Sequence, residues 1–440
     1  FPYLPDRKKD EHYSVTVTVA DLMAHRKPQR AVHSQLDLLL DLHRNRIDVP
    51  SMKLRTGPNV LEASGAIVNF ARPEWKFAAR GKLDLREVEA LGGVNGLDRG
   101  LVELRLHGSG LTQETPGESR FLIAGTGRIE DASYTAYGLN ITGVNAAADL
   151  RATEAELRIE NATAQLRRGG SVDGALRIDH WLGGNTVVQS RKPSRLEAPA
   201  LPLMKPLKPV ATIRARVRNI SLRTVLDMTA PRQFRDIGFD AAATGELAVD
   251  WTGAAADLTL GARLSVAPPS NLASGEVPVT GAVDAKYFNR NGTVQITSLT
   301  AQTPATHLQV TGALGVYPVS QPSQLHGTLE TSNLAEFNQT LTDLGLTANG
   351  VTGAKAIPIE LHGQAEFRGI VTGTVTDPDV KGHLVAADFG VLIPGKKVAV
   401  SAPVIASAAA AAAAIPPQQV ITLDRMVADG EYTSRSLTIE

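Results

Sequence analysis

The segment "LEASGAI" (61–67) returns as "LQVTGAL" (308–314) and, more loosely, as "GSVDGAL" (170–176). In an extended strand successive side chains point to opposite faces, so a period of two sorts each copy into two sides. Leu61, Ala63, Gly65 and Ile67 share one side, as do Gly170, Val172, Gly174 and Leu176, and Leu308, Val310, Gly312 and Leu314. Glu62 and Ser64, Ser171 and Asp173, and Gln309 and Thr311 take the other. Every copy is one-faced, with a glycine at the same place on its apolar side. Such units fold as antiparallel sheet with one greasy and one wetted surface.

The similarity runs past the strands. "FAARGKLDLREVEAL" (77–91) aligns with "SQLHGTLETSNLAEF" (323–337), matching Gly81 with Gly327 and Leu83 with Leu329. Both pass from strand into a short helix with a polar cap, Asp84 or Asn333, and a third helix begins at Ser221. "WTGAAADLTLGARL" (251–264) matches "VTGTVTDPDVKGHL" (371–384). There Gly373, Asp377 and Pro378 mark a turn, because proline cannot donate to a ladder and Asp side chains cap turn backbone. At about 16 residues per strand and turn, the chain makes roughly 27 strands. Residues 1–190 and 211–400 read as β-repeat regions separated by a proline-rich loop or hinge, 191–210. Residues 401–418, with seven consecutive alanines from Ala408, form a low-complexity loop, and 419–440 begin a further, truncated repeat.

Chemistry is harder to find. Lys+Arg and Asp+Glu both number 45, so no positive excess points to nucleic acid. Cysteine is absent, which removes disulfides, thiol catalysis and Cys-ligated metals together. His25, His33 and His43 have no metal-site spacing; "HGSG" (107–110) lacks a Gly-x-Ser-x-Gly elbow; "GTGRIE" (125–130) lacks a third glycine. Asp377 and Asp379 read as turn residues rather than a catalytic pair. The expectation is a non-enzymatic protein without catalytic residues, metal or cofactor. No apolar run reaches the length of a membrane-spanning helix. The chain starts on Phe and stops within a strand pattern, which reads as a fragment of something longer with any membrane anchor outside it.

The unit "LTAQTPATHLQVTGAL" (299–314), the Gly-x-Leu strands leading into short helices, the "TGTVTDPDVKGHL" turn and "LDRMVADGEYTSRSLTI" (423–439) together resemble the AsmA-like and TamB families of bacterial envelope proteins. That resemblance implies a mainly β fold: a long repetitive antiparallel sheet curled into an open, taco-like groove, greasy inside and polar outside, with a few short helices. It implies phospholipid carriage across the periplasm of a diderm bacterium. The anchor would lie in the inner membrane, through an amino-terminal segment absent here. TamB-type members are also linked to outer-membrane protein assembly with the barrel partner TamA.

On this reading the groove is lined by Val15, Val17, Val19, Leu61, Ile67, Val172, Leu176, Leu308, Val310, Leu314, Val371, Val375 and Leu384. Gly65, Gly174, Gly312, Gly373 and Gly382 relieve crowding on the concave side, and the Asp377–Pro378 corner sets where strands return. Two alternatives remain open from alternation alone. The apolar faces could close on one another as separate β-sandwich cores, and the protein could be a rigid β-rod adhesin or binding scaffold.

Overall fold

The computed structural model describes residues 12–24, 32–87, 96–112, 120–136, 139–167, 169–183, 185–188, 203–229, 237–272, 274–318, 320–340, 360–375, 377–393, 419–433 and 437–439. The chain is mainly β, with a few short helices. Two compact units are formed, one by Phe1–Arg218 with Leu247–Thr259, the other by Asn219–Glu246 with Leu260–Glu440. The described residues hold 25 strands, close to the number that the repeat length predicts.

The first unit is built on β1 (His12–Ala24), β2 (Val32–His43), β3 (Arg46–Thr56), β4 (Asn59–Val68), β5 (Glu74–Asp84), β6 (Leu97–Leu111), β7 (Arg120–Ala136), β8 (Leu139–Thr153), β9 (Glu156–Gln165) and β10 (Ser171–Asp179). After β11 (Asn185–Val188) and β12 (Leu203–Pro206) comes β13 (Val210–Ser221). From β1 to β10 every strand pairs antiparallel with the next, and β13 pairs with β10. The sheet is open, not closed into a barrel. One register row crosses all eleven strands: Val17, Leu38, Met52, Ala63, Ala79, Leu106, Gly125, Leu150, Ile159, Leu176 and Ile213. Directly opposed residues point to the same side, so the row is a continuous apolar stripe. At about 4.8 Å per strand it runs on the order of 50 Å.

The proline-rich stretch is not wholly loop, as its composition suggested. Leu203–Pro206 pairs antiparallel with Asn185–Val188, and the next strand opens at Val210. Proline at the end of a short two-stranded ladder forfeits no central hydrogen bond, which is why the segment tolerates it.

The second unit contains β14 (Phe239–Asp240), the start of β15 (Ala242–Thr252), β16 (Thr259–Ala267), β17 (Val277–Pro278), β18 (Thr280–Phe288), β19 (Thr293–Gln302), β20 (Thr306–Gly315), β21 (Ser323–Thr331), β22 (Glu360–Thr374), β23 (Asp377–Ile393), β24 (Gln419–Thr433) and β25 (Leu437–Ile439). β18 to β25 form another sequential antiparallel ladder. β14 and β17 make a two-residue parallel pair. The helix expected after Ser221 is α1 (Leu222–Thr229), where the Ser221 hydroxyl accepts from Thr224 N at 3.1 Å. Asn333 caps a 3-10 turn, Leu334–Phe337, accepting from Ala335 N. Residues 85–87 make one helical turn after Asp84, whose carboxylate accepts from Arg86 N. Residues 341–359, which follow the Leu334–Phe337 turn, and the alanine-rich 401–418 lie outside the described residues. Leu334 packs on Ala365 and Ala386, joined by Phe337, Leu361, Leu384, Phe389 and Met426. That small cluster covers one end of the apolar face.

Polar residues with left-handed backbone recur inside strands. Asp131, Asn161, Asn219 and Asp388 have φ of 50°, 50°, 51° and 49°. Asp131 falls where the β7–β8 register shifts between Ile129 and Ala132, and Asn161 where the β9–β10 register shifts. Asn and Asp tolerate this conformation through local hydrogen bonding. Here Asn145 Oδ1 accepts from Asp131 N, and Asn161 Nδ2 donates to Asp149. Each such bulge bends its strand and increases the twist, curling the sheet.

Asn161 tests this. Asn161→Gly keeps the bulge and leaves the denaturant midpoint nearly unchanged. Asn161→Val, which the left-handed backbone disfavours, costs about 1–2 kcal/mol in urea unfolding.

Candidate functional site

The apolar side of the first unit gathers every groove candidate named there. Val15, Val17 and Val19 oppose Leu40, Leu38 and Leu36. Leu61 opposes Leu54 and Gly81, and Ile67 opposes Ile47 and Trp75. Val172 and Leu176 lie against Ala164 and Ile159 on one flank and Val217 and Ile213 on the other. These candidates are half-buried, save Ile67, which is 39% exposed. Among the described residues no large side chain is fully buried, and alanine is the most frequent buried apolar residue. A closed sandwich core would bury Leu, Ile and Phe completely. This face is instead open.

Across β6 to β10 and β13 it is also concave. The curled sheet encloses a groove of about 390 Å³ whose lining includes Leu104, Ile129, Leu150, Ile159, Leu176 and Ile213, with Thr163 its one polar residue. The volume falls within the range of small-molecule sites, roughly 300–1,000 Å³.

In the second unit one row joins Gly281, Ala301, Leu308, Leu329, Phe367, Leu384 and Ala428. The adjacent row joins Val283, Leu299, Val310, Gly327, Gly369, Gly382, Gly430 and Ile439. Val371 stands between Leu325 and Val380, and Leu314 opposes Val294. Val375 differs from the rest: it sits beyond the end of β22, in the turn, and is 42% exposed. That turn is tight. Gly373 has φ of +82° and opposes Pro378, Thr374 opposes Asp377, and Thr374 Oγ1 accepts from Asp377 N at 3.0 Å. Asp379 makes an ion pair with Lys381 at 3.4 Å, as a structural residue.

The glycines on the apolar side serve two ends. At some, a neighbouring aromatic ring occupies the space that a side chain would take. A Cβ at Gly108 would meet the Phe77 ring at 2.6 Å, and one at Gly382 would meet the Phe367 ring at the same distance. At Gly65 and Gly174 a Cβ would meet backbone of the adjoining strand, Lys76 O at 2.5 Å and Arg214 O at 2.7 Å. Trp75, Phe77 and Phe121 group on this face, with ring centroids 5.8 and 6.4 Å apart from Trp75. This aromatic–glycine pairing, like the left-handed Asn and Asp bulges, escaped the sequence reading. A lone Asn or Asp within an alternating run was the available signal.

The opposite face is charged and neutralised pair by pair. Glu62 meets Lys53 at 3.0 Å and Arg80 at 2.6 Å, Asp37 meets Arg55 at 2.9 Å, and Lys381 meets Glu431 at 3.1 Å. Hydrogen bonds from Lys53 and Arg80 hold the Glu62 carboxyl below its ordinary value, and those from Lys381 to Glu431 and Asp379 raise the Lys381 ammonium. His33 pairs with Asp21 and His43 with Asp48, at separate places. No group of three or more His, Asp or Glu side chains among the described residues is placed to hold a metal ion. No described helix is long and apolar enough to cross a membrane.

Glu62 carries a pH prediction. A carboxyl held low in the folded state stabilises above its unfolded value, and the gain is lost as pH falls through the folded value. Stability therefore falls as the pH drops below the ordinary glutamate range, and Glu62→Gln flattens that part of the profile. The change is small because the group is exposed; denaturant midpoints against pH measure it.

No protein-family model matches the chain, and neither a curated protein nor a solved structure matches it.

Proposed function

We propose that the chain carries phospholipid, with the acyl tails lying along the apolar face and the charged face turned to water. The observation that carries this reading is the apolar stripe that crosses eleven strands without interruption on a half-exposed surface. A tail moving along such a stripe stays out of water, whereas leaving it costs about 0.8 kcal/mol per exposed CH₂. Function of this kind is spread over alternate positions, so no single residue stands out as catalytic. The AsmA-like and TamB resemblance supplies the setting: the periplasm, between an inner-membrane anchor and the outer membrane. Outer-membrane protein assembly with a barrel partner such as TamA is part of the same proposal.

Mass spectrometry of the chain purified without detergent tests the reading. Several phospholipid molecules retained per chain are expected. A folded, lipid-free protein would sink the carrier reading and favour a rigid β scaffold. Two substitutions sharpen the test. Leu176→Asp places a charge on the stripe and Val310→Asp on the apolar row of the second unit, both at half-exposed positions, so retained lipid falls several-fold while strand content by circular dichroism is kept. Loss of folding in both variants would mean that the apolar faces are closed cores.

A further inference from the structure

We propose that the groove between β6 and β13 of the first unit selects its occupant: it takes one unbranched hydrocarbon chain at a time, lying across the strands, and turns away chains with branches. This inference rests on the lipid-carrying reading and names the class of tail that the groove accepts. Its floor is one register row of small residues. Gly127 opposes Ala148, and Gly174 opposes Ala162 on one flank and Ala215 on the other. Ala148 and Ala162 flank the Asn161 bulge, where the β8–β9 register shifts. One wall is the row of Leu150, Ile159, Leu176 and Ile213. The other has Ile129 and Val172 at its ends and is lower between them, at Ala146 and Ala164.

Curvature alone does not account for the floor. At Gly127 an added Cβ would meet only the flexible Leu104 side chain, at 3.3 Å, and no backbone. Ala148, Ala162 and Ala215 are half-exposed, so the space above them is open to a ligand. Alternate residues of a strand lie about 6.7 Å apart, which sets the backbones of the two walls about 13 Å from each other. Strand side chains stand roughly perpendicular to the sheet, so the walls rise beside the floor instead of closing over it. A hydrocarbon chain in contact on both sides needs about 8 Å between wall carbons. Two chains abreast, or one with methyl branches, need more than the wall side chains leave. Five strands contribute to the floor, which is about 19 Å long, and a tail in one leaflet of a bilayer spans about 15 Å. The lining encloses about 390 Å³ and has Thr163 as its one polar residue. It offers a headgroup nothing and takes the tail.

A titration that reads this groove alone tests the selection. The chain has no cysteine, so Thr163→Cys, at an exposed position of the lining, carries a single environment-sensitive fluorophore. Hexadecanoic acid and 3,7,11,15-tetramethylhexadecanoic acid are titrated into the labelled chain; they share a backbone length and differ only in methyl branches. On an unshaped greasy surface the branched acid binds more tightly, by about fourfold for each further carbon buried. The groove reverses that order, with hexadecanoic acid tighter by about tenfold or more. Ala148→Leu raises the floor and should weaken hexadecanoic acid by about tenfold. Leu176→Ala lowers a wall and should bring the two acids close to equal affinity. If circular dichroism shows Ala148→Leu to be unfolded, Ala215→Leu takes its place. A branched acid that binds the unsubstituted groove as well as the straight one, or better, overturns the selection and leaves the carrier reading standing. If neither acid binds, the carrier reading falls and the selection falls with it.

Discussion

Backbone pairing between consecutive strands is the interaction on which everything else rests. In the first unit β1 to β10 meet their sequence neighbours, and β13 takes the place next to β10. The ladder holds the backbone while the side chains of one face stay half-covered. An ordinary domain derives most of its stability from a second layer closing on the first. Here the apolar side chains shield one another along the stripe, through cross-strand contacts of the kind that stabilise any sheet. The small Leu334 cluster is the described exception.

Curvature follows from the same ladder. Left-handed Asn and Asp bulges add twist, while glycines let a neighbouring backbone or ring come close. Phe77 over Gly108 and Phe367 over Gly382 illustrate the second device: a large side chain lies down across the strand beside it because that strand has no Cβ to hold it off. The concavity between β6 and β13 is therefore shaped by small residues as much as by large ones. On the other face, alternating pairs such as Lys53–Glu62–Arg80 keep the surface wetted without a field of one sign.

Much of this was legible in the sequence, because alternation is a local signal. The faces of Leu61, Val172, Leu308 and their neighbours, the Gly373–Pro378 turn, and the caps at Ser221 and Asn333 all follow from a few adjacent residues. Legibility failed where the structure depends on partners across the sheet. Nothing within "VTGTVTD" says that Val375 falls past the end of its strand, since alternation carries on through the turn. Leu203–Pro206 reads as loop from its prolines, but Asn185–Val188 gives it a partner. Which glycine lies beneath which ring is likewise a matter of register, fixed only once strands are paired.

Sequential pairing has a consequence for how such a chain changes length. A strand that touches only its two neighbours in the ladder can be followed by one more hairpin without rearranging anything before it. Two added strands restore the direction of the chain and keep the apolar residues on the same side, whereas a single added strand reverses the direction in which the chain leaves. Growth is therefore quantised in hairpins, each lengthening the stripe by about 9.6 Å. Such a sheet can be lengthened by duplication of one short segment of its gene, without redesigning a core.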